Sequence, residues 1–273
     1  MRAYLLAVLL IAGIYAGKPL NEVKSPTLNK FGVASVDGII KFEDVEKLSP
    51  AMKSATALLR SRQFAEAERA FQEIEHQDPS DALAYKGEIE AAGQLDTLGK
   101  IIERYKKRLA EAEVRPHQDD NVLAALHYAL GVAIMIHNGY NSRYIGDNPS
   151  ELGHEPKSQL IKALKLEPKM LVSHLALAAY YEHPSLGRYT DARREYDIAL
   201  HLRPDLFKIC YLHALTWSRP GYVTNKKELL KIGIKLPDDK QMIPLNTIRE
   251  CLDLIHDHPE YAPPYLLVSE LYR

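Results

Sequence analysis

The chain has no excess of charge of either sign and no long run of one sign: 35 Lys and Arg stand against 36 Asp and Glu, giving a formal net charge of −1. Binding to nucleic acid through phosphate neutralisation needs a basic face, so no nucleic-acid partner is expected. Enzyme signatures are missing as well. There is no glycine loop between a strand and a helix for phosphates, no HExxH, no GxSxG and no CxxC. The expected protein is therefore not an enzyme and carries no cofactor. Cysteine is scarce, with Cys210 and Cys251 the only thiols. Among aromatic residues, five Phe and one Trp are outnumbered by sixteen Tyr, which suits rings that pack along one edge while the hydroxyl meets water.

The N-terminal apolar run, residues 5–15, is too short to span a membrane, which takes about 20 residues. Arg2 precedes it, and Ala16 and Gly17 follow before the polar Lys18. This is the charged, apolar and small-residue order of a secretory signal. Residues 1–17 are thus expected to be a cleaved signal peptide and the protein to be exported, periplasmic or secreted. An uncleaved signal would be its only link to a membrane. Residues 18–48 mix turn formers with a short β-prone run at 38–42, and read as an irregular N-terminal arm laid on the first pair of helices.

What is present is helical periodicity. In residues 171–204, Tyr189, Ala192, Tyr196 and Ala199 recur at steps of three and four, on one helix face. His174, Leu177, Ala178 and Tyr181 do the same in a preceding helix, and the small Ala178 lets a neighbour approach. HPSLGR separates the two, and Pro204 forces a restart. The second-helix pattern returns as Phe64, Ala67, Phe71 and Ile74, closed by Pro79. The first-helix pattern returns at His127, Leu130, Gly131 and Ile134, at Cys210, His213, Ala214 and Trp217, and at Tyr265, Val268, Ser269 and Tyr272.

Pro79, Pro116, Pro168, Pro204 and Pro237 mark a period interrupted by an inserted loop at 138–155. Helices are expected near 49–61, 64–77, 82–92 (ending about Gly93), 95–112, 206–218, 226–235 and 245–257, followed by a final helix at the C-terminus. Ser49 and Pro50 serve as the first cap and first-turn proline. After Pro204 two partitions remain open: Pro237 closes a unit, or 219–244 is an insertion. With 46% hydrophobic residues, one extended domain over 49–273 is enough.

These residues resemble the tetratricopeptide (TPR) repeat in length and in the large, small and aromatic order of each helix pair. The resemblance implies an all-α fold, an α-α superhelix of helix pairs whose first helices line a concave groove. It places Met52 and Thr56, Tyr128 and Val132, Leu175 and Ala179, and Tyr211 and Leu215 in that groove, with Tyr140 and Tyr144 as anchors on an inserted lid. The row is apolar, and the Lys, Asn and Arg with which some members clamp a peptide carboxylate are missing here. A scaffold binding a protein or peptide is therefore expected. The alternative is a small apolar ligand, bound by an accessory protein of periplasmic transport. The YYEHPSLGRYTDA run and the loop before ALKLEPKM are similar to exported helical-repeat components of TRAP-type transporters, without their lipid-attachment cysteine. His127, His174 and His213 fall at packing positions and His256 and His258 at a helix end, so no metal site is expected. Whether Cys210 and Cys251 pair is left open.

Overall fold

Capping decides where the chain first becomes regular. In the computed structural model, Ser49 Oγ accepts the Met52 N–H at 3.1 Å with Pro50 in the first turn, and Asp81 accepts the Leu83 and Ala84 N–H groups at 2.9 and 3.1 Å. Each satisfies donors that a helix start leaves open. The structure describes residues 40–115, 117, 119–140, 154–183, 186–218, 224–225, 227 and 242–272. The expected signal peptide, most of the arm, Pro116, Tyr144, Pro237 and nearly all of the expected helix at 226–235 lie outside them.

Among the described residues the protein is all-α apart from one two-residue ladder, and it divides into two compact units, each taken by itself. The larger spans Ile40–Leu206. A single helical turn, α1 (Phe42–Val45), is followed by α2 (Pro50–Arg60), α3 (Phe64–Gln77), α4 (Ala82–Leu95), α5 (Leu98–Glu113), α6 (Asp120–Met135), α7 (Glu155–Leu166), α8 (Leu171–Glu182) and α9 (Tyr189–Leu202). From α2 onward each helix packs on the next, and alternate helices also meet: α2 on α4, α4 on α6 and α6 on α8. The stripe spacing produces this arrangement. Ala67, Phe71, Ala192, Tyr196 and Ala199 are all completely buried, while Arg69, Arg194 and Asp197 between them are exposed.

In the unit containing Phe207–Arg273, α10 (Lys208–Thr216) packs on α11 (Leu245–Asp257) and α11 on α12 (Pro263–Tyr272). Thr224–Asn225 (β1) pairs antiparallel with Met242–Ile243 (β2) between α10 and α11. Residues 219–244 thus separate two helices that pack together, and the proline following α11 is Pro259.

Three local expectations change. The first is that α4 runs through Gly93 to Leu95 and stops on Asp96, which is left-handed at φ 58°; Gly93 sits where side-chain space exists rather than at the cap. The second concerns the β-prone run at 38–42, of which only 40–42 are described: Phe42 opens a helical turn, Phe42–Val45, whose Asp44 carboxylate accepts the Lys41 N–H at 2.8 Å. The third is that the helix expected over 206–218 is shorter, at 208–216.

A bond within the turns repeats along the chain. Tyr85 donates to the Pro79 carbonyl at 3.1 Å, His174 Nε2 to Pro168 O at 3.0 Å, and Tyr265 to Pro259 O at 3.1 Å, each six residues after its proline. Asp120–Asn138 is long and apolar enough to cross a membrane, but it is mostly buried and α6 packs on α4, α5, α7 and α8. That is how the central helix of a folded unit reads.

Candidate functional site

Residues 40–48 lie as a short peptide against four of the helices or their termini. Ile40, Phe42 and Leu48 are buried. The Phe42 ring stacks on Phe71 of α3, with centroids 6.0 Å apart and planes inclined by 17°, and Lys86 Nζ of α4 stands 4.7 Å from its centroid. An aromatic ring between another ring and an ammonium gains from both contacts. On the next residue, Arg60 Nη2 of α2 donates to both Glu43 oxygens at 2.7 and 2.6 Å. Arg203, just past α9, donates Nη1 to the Val45 carbonyl and reaches Asp44 O at 3.4 Å through Nη2. Asp205 holds that guanidinium at 2.7 to 2.8 Å, so the cation is oriented before it meets the peptide carbonyls.

Two clefts flank this segment. One of about 380 Å3 is lined by Val45 and Glu46, the α3–α4 turn with Asp78 and Asp81, and Leu171 and Val172 at the start of α8. The other, about 600 Å3, lies between residues 43–48, the α2 residues Lys53, Thr56 and Arg60, and Arg203. Their electrostatics differ. Burial raises the Glu46 carboxyl, and the charges of Asp81 and Asp78 raise it further. Burial also raises Asp81, against the pull of the backbone donors it caps. For Glu43, burial acts upward, but its own backbone and Arg60 prevail and hold it below its ordinary value.

Sequence reasoning did not find a second cluster, which lies inside α3, α4 and α5. The Glu88 side chain is completely buried. It accepts from Gln72 Nε2 at 2.7 Å, from Arg104 and from the Tyr105 hydroxyl. Glu75, 1% exposed, takes Arg108 Nη1 at 2.7 Å, and Arg108 Nη2 donates to the Tyr85 hydroxyl at 2.7 Å. The two carboxyls act on one another electrostatically, and Glu75 Oε1 has no hydrogen-bond partner. Such a pair holds one proton. It sits on Glu75, whose pKa is pushed up to about 9 by burial and then by Glu88. Burial would raise Glu88 too, but Glu75, Arg104 and Tyr105 together hold it below its ordinary value. The only sequence signal is indirect. In the frame set by Tyr85 and Pro79, Glu88 occupies the position held by Leu177 in α8.

The groove positions expected from sequence are all buried. Met52, Thr56, Tyr128, Val132, Leu175, Ala179, Tyr211 and Leu215 lie inside their units. Of the first pair, Thr56 lines the larger cleft beside the 40–48 segment and donates to Met52 O within its helix at 2.7 Å. Tyr128 and Val132 lie on α6, Leu175 and Ala179 on α8, and Tyr211 and Leu215 on α10. Tyr140 ends a π turn, Ile136–Tyr140, that continues α6; Tyr144 lies outside the described residues.

His174 offers Nδ1 to Glu195 at 2.7 Å and Nε2 to Pro168 O, and these acceptors raise its pKa despite burial. His213 Nδ1 lies 2.7 Å from Glu250. His258 stacks on Phe207 with centroids 3.9 Å apart. Among the described residues no three His, Cys, Asp or Glu side chains form a group that could hold a metal. Cys210 and Cys251 are free thiols on α10 and α11, and burial pushes Cys251 up to about 12. No family model, no curated protein and no solved structure matches the chain.

Proposed function

We propose that the protein is an exported, non-catalytic TPR-like scaffold that binds a protein or peptide partner on the groove side of its helix pairs. One observation carries this reading. The surface beside Thr56 already holds a short peptide, residues 40–48, whose helical turn Phe42–Val45 carries a seated aromatic anchor and whose carbonyls meet a fixed arginine. These are the elements of peptide recognition: pockets for side chains and donors for the backbone. The alternation in packing, α2 on α4 on α6 on α8, and the recurring bond from ring to proline carbonyl support a superhelix of repeated pairs.

Native mass spectrometry of the protein purified gently from its host tests the reading. A complex that separates into this chain and a second polypeptide supports it. A surplus of a few hundred daltons lost on denaturation would instead favour the small-ligand accessory of a transport system.

A further inference from the structure

The geometry points to residues 40–48 as an internal occupant of the partner site, and so to the partner's chemistry: an acidic peptide that forms one helical turn, with an aromatic residue followed by carboxylates, as in Phe42-Glu43-Asp44. This rests on the scaffold reading and names the partner class for it. The observations are independent of one another. Phe42 fills an aromatic seat with Phe71 beneath it and Lys86 beside it. Arg60 grips the following carboxylate through both oxygens, a contact whose value lies in matching one sign of side chain at one place. Arg203 reads only main-chain carbonyls, 158 and 159 residues away in sequence, so any peptide of the same backbone course could take them.

The hold on the segment is local rather than continuous. Glu43 and Arg60 are about half exposed, exposed ion pairs contribute at most about 1 kcal/mol, and a cleft remains on either side. A segment seated by the Phe42 ring, by the buried Ile40 and Leu48 and by a few charged contacts, joined to α2 through Ser49, competes at the millimolar effective concentration that short linkers give. A partner must therefore be present in excess or bind more tightly. The cleft wall carrying Asp78 and Asp81 bounds the site on one side and disfavours further acidic residues there, which limits the register of an incoming peptide.

The test uses the full chain and a fluorescein-labelled peptide of sequence IKFEDVEKL, residues 40–48. In the variant Phe42→Ser with Glu43→Lys the internal segment loses both anchors. The expected result by fluorescence anisotropy is that this variant binds the peptide at least about tenfold more tightly than the unaltered chain, because the cis competitor is gone. A peptide with Ala at the Phe42 position, or Arg203→Ala in the variant background, should each lose about tenfold.

A folded variant that ignores the peptide, or that binds the Ala peptide equally well, overturns the proposal and leaves residues 40–48 as a fixed part of the fold. If the variant does not fold, hydrogen exchange on the unaltered chain decides. Millimolar peptide should speed exchange of the Asp44 and Glu46 amides, and unchanged rates reject displacement. A second polypeptide recovered by native mass spectrometry alongside a failed peptide test would leave the scaffold reading intact and remove only this site.

Discussion

The interior between α3, α4 and α5 and that between α6 and α7 solve one packing problem with opposite chemistry. In the first, two carboxyls, two guanidiniums and two phenols meet where a repeat core is usually apolar. In the second, α6 presents an unbroken buried run from Ala124 to Met135. There Gly131 sits so close to α7 that an added Cβ would lie 3.1 Å from both Leu160 Cγ and the Pro156 carbonyl. The contrast shows that helix pairing here depends on closing the space between helices, with either charge or hydrocarbon as filler. A charged filler must be complete, because one missing partner leaves a buried charge alone. An apolar filler must match in volume.

The largest effect should come from breaking the charged interior. Glu88→Ala removes the acceptor shared by Gln72, Arg104 and Tyr105, and should cost about 3–5 kcal/mol in urea unfolding, the usual result of orphaning a buried charge. A loss below about 1 kcal/mol would mean water replaces Glu88, so that the two interiors differ less than the geometry implies.

Gly131→Ala tests the apolar interior. Its contacts at 3.1 Å include main chain, which cannot rotate away, so a loss of about 1–3 kcal/mol is expected. Calorimetry of the same variant should show a lower Tm; an unchanged Tm would place slack between α6 and α7.

Glu75→Gln sharpens the comparison through pH. The carboxyl is raised in the folded state from an ordinary 4.5 to about 9. The folded protein therefore holds a proton that the unfolded chain releases between those values. Its contribution to stability is full below 4.5 and declines as pH rises toward 9. Gln keeps a neutral, proton-donating group and abolishes the decline. The difference in urea midpoint between the variant and the unaltered chain should favour the variant increasingly from about pH 5 to about pH 8. A constant difference would show that Glu75 carries no proton in the folded state.

This contrast also explains how much can be read from residues alone. The apolar interiors repeat the aromatic and small spacing, and the helices at 64–77, 189–202 and 245–257 follow from it within a residue or two. The second pair obeys the same frame, but Glu88 and Arg108 stand at core positions, so its stripe looks weak until their partners on α3, α4 and α5 are known. Residues 40–48 are hidden for another reason. Their contacts with Arg203 span nearly 160 positions, which no local periodicity encodes. The groove positions rest on the resemblance to a helical repeat, which cannot report that Thr56 lines a cleft beside a segment of the same chain.

The smallest effect concerns the bond that recurs at the turns. Tyr85 and Tyr265 each donate to a proline carbonyl six residues earlier at 3.1 Å, yet their settings differ. Tyr85 also accepts from Arg108 at 2.7 Å inside the charged interior, whereas the Tyr265 bond lies at the surface. Tyr85→Phe leaves the Pro79 carbonyl and one arm of a half-buried guanidinium without their partner, and should cost about 1–3 kcal/mol. Tyr265→Phe exposes Pro259 O to water, which replaces the lost donor, and should cost no more than about 0.5–1 kcal/mol. Both would be read by urea unfolding of the full chain. Equal costs would show that the turn bond itself sets the stability of these pairs; a larger cost at Tyr85 would assign the excess to its coupling with Arg108 and Glu75.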